Sequence, residues 1–501
     1  MQPAVVPQPA VPPPAVSPPT RYGEAMQFLL GRIDYERATA APYPARDFRL
    51  DRMHDLLRQL GNPHQKYPTI HVAGTKGKGS TAAMTAAILT AAGHRTGLYT
   101  SPHLDHLEER IVIDGDCCRP DQLVSLVDRL RPVVAALDAL PPQADGSSSP
   151  LSAPTWFEIT TAMALLHFAA ERVDVAVIEV GLGGRLDSTN VIRPLVSIIT
   201  SISFDHMKQL GSTLAAIARE KAGIIKPGVP VVSGVTDPEA QASIDEVRRQ
   251  NDAPLVQLGS DFDFRYRPPR DLDHAASAGE MDFFSPAGAD TARYENLRLS
   301  LIGRHQAANA AVSLAAIEQL RQAGWKIPES AIRDGLMQIR WPARVEVVQR
   351  QPTVVLDAAH NAASVVSLLQ TLDESFSPSA PRLLIFATTQ DKQVREMLEL
   401  LLPRFDRVLL TRYTTNPRSF PIEELAAVAA TISPIPQEIC DTPAAAWRRA
   451  RELATPAHRI VATGSFFLAA ELRTAIAADA SSAAGQIPVD VALARIAKSC
   501  Q

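Results

Sequence analysis

Between a short apolar stretch and an Ala/Met/Ile/Leu-rich one lies the run His71-Val-Ala-Gly74-Thr75-Lys76-Gly77-Lys78-Gly79-Ser80-Thr81. Glycines let a backbone wrap an anion, the N–H groups of a helix start point at it, and a lysine such as Lys78 reaches outer phosphates. Gly74, Thr75, Lys76, Gly77, Lys78, Gly79, Ser80 and Thr81 are therefore candidate nucleotide ligands. The run departs from G-x-x-x-x-G-K-[ST], because Val72 stands at the first glycine and Gly79 separates Lys78 from Ser80. A merely flexible turn would explain the glycines. It would not explain strand, turn, lysine, hydroxyls and helix in this order.

Three further polar residues close apolar runs elsewhere: Ser101 after Gly97-Leu-Tyr-Thr100, Glu179 after Val175-Ala-Val-Ile178, and His206 after Ile198 to Asp205. In an open parallel sheet the carboxyl ends of the strands line the binding crevice, so these three should converge beside the phosphate loop as a Mg²⁺ shell. Taken singly, a strand-end glutamate is a solvated or capping group and a lone histidine a structural one. Lys221 is different in kind. Leu214, Ile217 and Lys221 are spaced three and four apart, which puts an ammonium on the apolar face of a helix predicted over 213–222. There it must be paired, neutralised or modified, unless it snorkels to the last carbonyls.

Farther along come Arg304-His-Gln306-Ala-Ala-Asn309, then Trp341-Pro-Ala-Arg344, and then Asp357-Ala-Ala-His360-Asn361. An arginine for phosphates, an asparagine for an adenine edge and an Asp/His pair would complete a site shared between domains. A hinge salt bridge and a helix N-cap would use the same residue types.

These residues need a frame. Strands are predicted over 69–73, 95–100, 173–179, 196–203 and 229–233, with a helix over 80–92 ended by Gly93. A second α/β series begins after Trp341-Pro342, with strands over 353–356, 383–387, 407–411 and 460–462 and helices over 363–372, 394–402, 421–430 and 444–453. It carries no G-x-G-x-x-G, so a dinucleotide is not indicated. The stretches 141–154 and 265–292 break the rhythm and read as segments outside the core. With 501 residues the chain exceeds one ordinary core. The expected division is a Pro-rich disordered tail over 1–20, an ATP-binding domain over 21–340, a smaller Rossmann-like domain over 341–477 and a tail over 478–501.

Fifty Lys+Arg against 54 Asp+Glu leaves no global field for nucleic acid or anionic membrane. No apolar run is long enough to span a bilayer. Four cysteines, Cys117, Cys118, Cys440 and Cys500, form neither a disulfide framework nor a zinc pattern, so a reducing cytoplasm fits.

At the residues named above the chain closely resembles the folylpolyglutamate synthase and dihydrofolate synthase family of Mur ligases. The matching runs are HVAGTKGKGSTAAM (71–84), GLYTSPHL (97–104), VIEVGLGGRLDSTNVI (177–192), SISFDH (201–206), EKAGIIKPG (220–228), GRHQAANA (303–310), WPARVEVV (341–348), LDAAHN (356–361) and ATGSFFL (462–468). The resemblance implies a P-loop-type three-layer ATPase domain and a smaller Rossmann-like α/β domain, with MgATP, L-glutamate and a folate or dihydropteroate meeting between them; a monomer is expected. It also implies Lys78 on the phosphates, Ser101, Glu179 and His206 on Mg²⁺, and Asn309, Arg344 and Asp357 on ATP. Lys221 falls at a lysine often carbamylated in the family, and His360 near the reacting groups or the glutamate. Where the family usually has Asn, Phe-Asn-Glu-Arg and Gly, this chain has Lys76, Leu107-Glu-Glu-Arg110 and Ala358. The rivals are a muramyl-peptide-type ligase, disfavoured by the short segment ahead of the loop, and an ATP-binding switch without ligase activity.

Overall fold

The computed structural model describes residues 20–34, 50–139, 153–285 and 292–483. The Pro-rich stretch up to residue 19, most of 141–154 and the chain after 483 lie outside the described residues.

Eight strands form the first sheet: β1 (Thr69–Ala73), β2 (Thr96–Tyr99), β3 (Ile111–Ile113), β4 (Asp116–Cys117), β5 (Val175–Glu179), β6 (Val196–Ile199), β7 (Val231–Ser233) and β8 (Leu255–Gln257). Their order is β4-β3-β2-β5-β1-β6-β7-β8, parallel from β2 through β8, with the β3–β4 hairpin antiparallel at one edge. The alternation of a strand divides its side chains between two cores. Ile70, Val72, Val175 and Val177 face one cluster with the helices Lys78–Ala91 and Arg304–Gln322, while Ala176 and Ile178 face another with the helices Pro120–Asp138 and Trp156–Ala170. The result is three layers. It needs runs of apolar residues rather than alternation, because a parallel sheet is covered on both faces.

A three-stranded antiparallel sheet follows, β9 (Asp263–Arg267), β10 (Gly279–Phe284) and β11 (Arg293–Leu299). It occupies much of the stretch that reads from sequence as lying outside the core. Met281, Phe283, Tyr294 and Leu297 alternate with polar residues and fill the first of the two cores.

The second large sheet contains β12 (Glu346–Gln349), β13 (Thr353–Leu356), β14 (Arg382–Phe386), β15 (Arg407–Thr411), β16 (Gln437–Cys440) and β17 (Arg459–Thr463), in the order β12-β13-β17-β14-β15-β16. Only β12 is antiparallel. Val355 and Leu384 point to one face, Val354 and Leu383 to the other, again with helices on both. The final helix, Phe466–Ala483, runs through residue 477, where a tail was expected to start.

The two sheets are joined by more than the covalent link near Trp341. In the loop between β9 and β10, Leu272 is buried among Val355, Val365 and Phe376 of the second sheet's core. Beside it the Asp273 carboxylate receives Nε of Arg459 at 3.1 Å, Nη2 of Arg459 at 2.5 Å and the N–H of Ser377 at 2.8 Å.

Candidate active site

The phosphate loop is built where β1 ends. Gly74 has φ +148° and lies so close to the chain after β6 that a Cβ would sit 1.9 Å from Thr200 Oγ1. Gly77, at φ +82°, caps the helix Lys78–Ala91, and a Cβ there would meet Asn309 Oδ1 at 2.1 Å. Only glycine permits both approaches. Within the loop, the Thr75 N–H donates to Ser201 O at 2.7 Å and the Lys76 N–H to Ser201 Oγ at 3.1 Å. The Lys76 carbonyl accepts from Thr200 Oγ1 at 2.6 Å and from Ser201 Oγ at 3.1 Å. These groups are committed to the scaffold. The first-turn N–H groups of Lys78, Gly79 and Ser80 have no helical carbonyl behind them and remain to meet an anion.

A cleft of about 1070 Å³ opens between the two large sheets. It is lined by Thr75, Lys76, Gly77, Lys78, Gly79 and Ser80, by Ser101, Glu179, His206 and Lys221, and by Asn309, Arg344, Asp357 and His360. The residues expected to gather do gather. Two do not reach the cleft: Gly74, whose part is the close approach to Thr200, and Thr81, which is fully buried with its Oγ1 unpartnered among the described residues. Thr81 is one position too far along the helix to face the loop.

Glu179 is a buried carboxylate that accepts the Ser101 N–H at 3.1 Å. Burial raises its pKa, and Lys78 nearby pulls in the opposite direction. Lys221 is buried, its ammonium makes no ion pair or hydrogen bond among the described residues, and burial, with Lys78 close by, lowers its pKa to about 7. His206 sits at φ 49° with its ring open to the cleft; burial among the cations Lys392, Lys221 and Lys76 depresses it to about 4 despite the Asp205 carboxylate 3.8 Å away.

From the second half come Asp357, at the end of β13, and Arg344. The Asp357 carboxylate accepts the N–H of Val345 at 2.9 Å and of Ala359 at 2.8 Å, and burial raises its pKa. The Arg344 guanidinium stacks on Phe466 at 5.2 Å. His360 Nδ1 lies 2.9 Å from Ala358 O. Asn361 caps the helix Ala362–Ser375, its side chain accepting from Ser364 N.

The side chain of Lys76 does something the sequence did not indicate. Its Nζ lies 2.6 Å from Asp205 Oδ2 and 3.1 Å from His360 Nε2, while Lys392 Nζ lies 3.1 Å from Asp205 Oδ1. Burial by itself would raise the Asp205 carboxyl, but Lys76, His206 and Lys392 hold it far below the usual range. Asp205 and Lys392 were missed. Asp205 stood inside a quoted motif with no task assigned, and Lys392 lies in a loop after β14 that has no local signature.

The Mur ligase middle domain model matches residues 143–317 and the Mur ligase glutamate ligase domain model matches residues 343–466. The dihydrofolate synthase/folylpolyglutamate synthase of Bacillus subtilis is 39% identical over 384 residues, which are 76% of this chain and 83% of that one. A Mycobacterium tuberculosis folylpolyglutamate synthase, solved with ADP and AMPPCP, superposes with a TM-score of 0.79 at 34% identity, covering 91% of this chain and 98% of its own. E. coli FolC in complex with DHPP and ADP gives 0.75 at 28%, covering 94% and 100%.

Proposed function

This chain belongs to the folylpolyglutamate synthase and dihydrofolate synthase family of Mur ligases, and on that premise we propose how its cleft carries out the ligation and on which acceptors. The protein is an ATP-dependent acid–amino-acid ligase that adds L-glutamate to a folate-type carboxylate through an acyl phosphate. One observation carries the assignment of roles. The phosphate loop and the Arg344/Asp357/His360 group, which come from different sheets, line the same cleft.

The first-turn amides and Lys78 hold the ATP phosphates, with Asn309, Arg344 and Asp357 contacting the rest of the nucleotide. A carboxylate of the acceptor attacks the γ-phosphate in line, and the two cations Lys78 and Arg344 offset the charge that spreads over the transferred group. The amine of glutamate then attacks the acyl phosphate near His360, in a cleft closed by both halves against hydrolysis. Bound Mg²⁺ would supply further charge neutralisation at the phosphates. The residues present fit it: Ser101 and Glu179 are adjacent, Glu179 is a buried carboxylate with no cation bonded to it among the described residues, and His206 opens into the same cleft. Lys221, buried and without an ion pair among the described residues, has its pKa lowered to about 7, so an appreciable share is the neutral amine that carbamylation needs, and the carbamate would be an oxygen donor at that site.

We assign both activities, tetrahydrofolate polyglutamylation and dihydrofolate synthesis, to a monomer in the cytoplasm. Among the described residues no helix is long and apolar enough to cross a membrane, and Cys118 and Cys440 are free thiols. Purified protein given ATP, labelled glutamate and either dihydropteroate or tetrahydrofolate should yield a labelled product and ADP with each. Label incorporated with only one acceptor removes the second activity; none with either removes the folate assignment.

A further inference from the structure

We propose that Lys76 is a positioning residue that ties the phosphate loop to His360 across the domain interface, and that its side chain is not a nucleotide ligand. The inference rests on the ligase reading above.

The geometry leaves the Lys76 side chain little freedom. Its own N–H and carbonyl are bonded to Thr200 and Ser201, and its Nζ spans Asp205 Oδ2 at 2.6 Å and His360 Nε2 at 3.1 Å. The hydrogen atoms follow. A carbonyl only accepts, so His360 Nδ1, 2.9 Å from Ala358 O, carries the ring proton. An ammonium only donates, so Nε2 presents a lone pair to Lys76. His360 is thereby a neutral imidazole in one tautomer, its free nitrogen aimed at the phosphate loop. The direction in which Lys76 and burial move its titration, well below the ordinary range, agrees with this.

Asp205 anchors the arrangement from both sides. Lys76 grips Oδ2 from its own half, and from the other half Lys392 donates to Oδ1 at 3.1 Å and Asn361 Nδ2 lies 3.5 Å from Oδ2. The side chains of Asp205 and Lys392 are only 11% and 12% exposed, so these contacts are poorly screened. An ammonium committed to this cluster is withdrawn from the phosphates, which are left to Lys78 and the first-turn amides. Its influence on the reaction passes through the orientation of His360.

The two roles have different kinetic signatures. A phosphate ligand appears in the KM for ATP, whereas a residue acting through His360 appears in kcat and in the KM for glutamate. In the full chain, Lys76→Met should lower kcat at saturating ATP by about tenfold or more, with the KM for ATP and the ADP Kd within about twofold of wild type. Lys76→Arg, which keeps the charge and can donate to both partners, should stay within about threefold of wild type. The double variant Lys76→Met/His360→Ala should be no slower than His360→Ala alone. ADP-induced thermal shift reports folding of each variant, and Lys76→Gln replaces Lys76→Met should the latter not fold, with the same expected loss. A tenfold rise in the KM for ATP or the ADP Kd with kcat unchanged, or losses that multiply in the double variant, would overturn the proposal. Wild-type protein inactive with every acceptor instead sinks the ligase reading, and ADP affinity alone then judges Lys76.

Discussion

The phosphate loop and the β9–β11 insertion are built by opposite means. The loop is made by its neighbours in sequence: a strand, two glycines at positive φ and a helix start, all between Thr69 and Ala91. The insertion takes its meaning from residues far along the chain. Leu272 and Asp273 become comprehensible only when Phe376, Ser377 and Arg459 are beside them. The phosphate-binding turn is laid out locally in this molecule. The alignment of its two halves is specified over long range.

That contrast can be broken by substitution. The largest expected effect is on stability, from Asp273→Ala, which leaves the fully buried Arg459 guanidinium without its carboxylate. Removing one partner of a buried pair costs about 3–5 kcal/mol, read as a lowered denaturant midpoint; an unchanged midpoint would mean the insertion does not fasten the second half. Next is Lys78→Met, which should reduce ligation by about 10²–10³-fold, about 3–4 kcal/mol of transition-state stabilisation, with the thermal midpoint nearly unmoved. Rates within tenfold of wild type would take the phosphates away from Lys78.

Smaller is Gly77→Ala. At φ +82° and against Asn309 Oδ1, the added Cβ should cost about 1–3 kcal/mol and weaken ADP binding together with stability, measured by calorimetry and melting. The last effect concerns pH. His71 in β1 is completely buried, its Nε2 2.8 Å from Thr189 Oγ1, and burial with Lys226 lowers its pKa to about 3. The unfolded imidazole takes up a proton first as pH falls, so native stability is full above about 6.5 and declines from there toward 3. A His71→Gln variant should show a flatter melting profile between pH 6.5 and 4; an identical slope would acquit His71.

The same division explains what could be read in advance. Runs of buried β-branched residues announced the parallel strands, so 69–73, 353–356 and 407–411 agree to the residue with β1, β13 and β15. The strand expected over 196–203 ends at Ile199, and beyond it Thr200 and Ser201 turn their hydroxyls to the Lys76 carbonyl of the phosphate loop. The insertion was illegible since β9 and β10 are separated by a long polar loop whose buried residues pack elsewhere. At the site, the rule that strand ends line the crevice was enough to collect Ser101, Glu179 and Asp357. It could not say where a long flexible side chain points, and Lys76, grouped with the nucleotide ligands, turns instead to Asp205 and His360.

The plug formed by Leu272 and Asp273 has a mechanical consequence. Two bodies held at a single covalent crossing can tumble about it in any direction, but a second fixed point defines a line. With one attachment near Trp341 and another where Leu272 enters the far core, the halves are fastened at two separated points, so parting them there must draw Leu272 out of its apolar surroundings and strip Arg459 of its carboxylate.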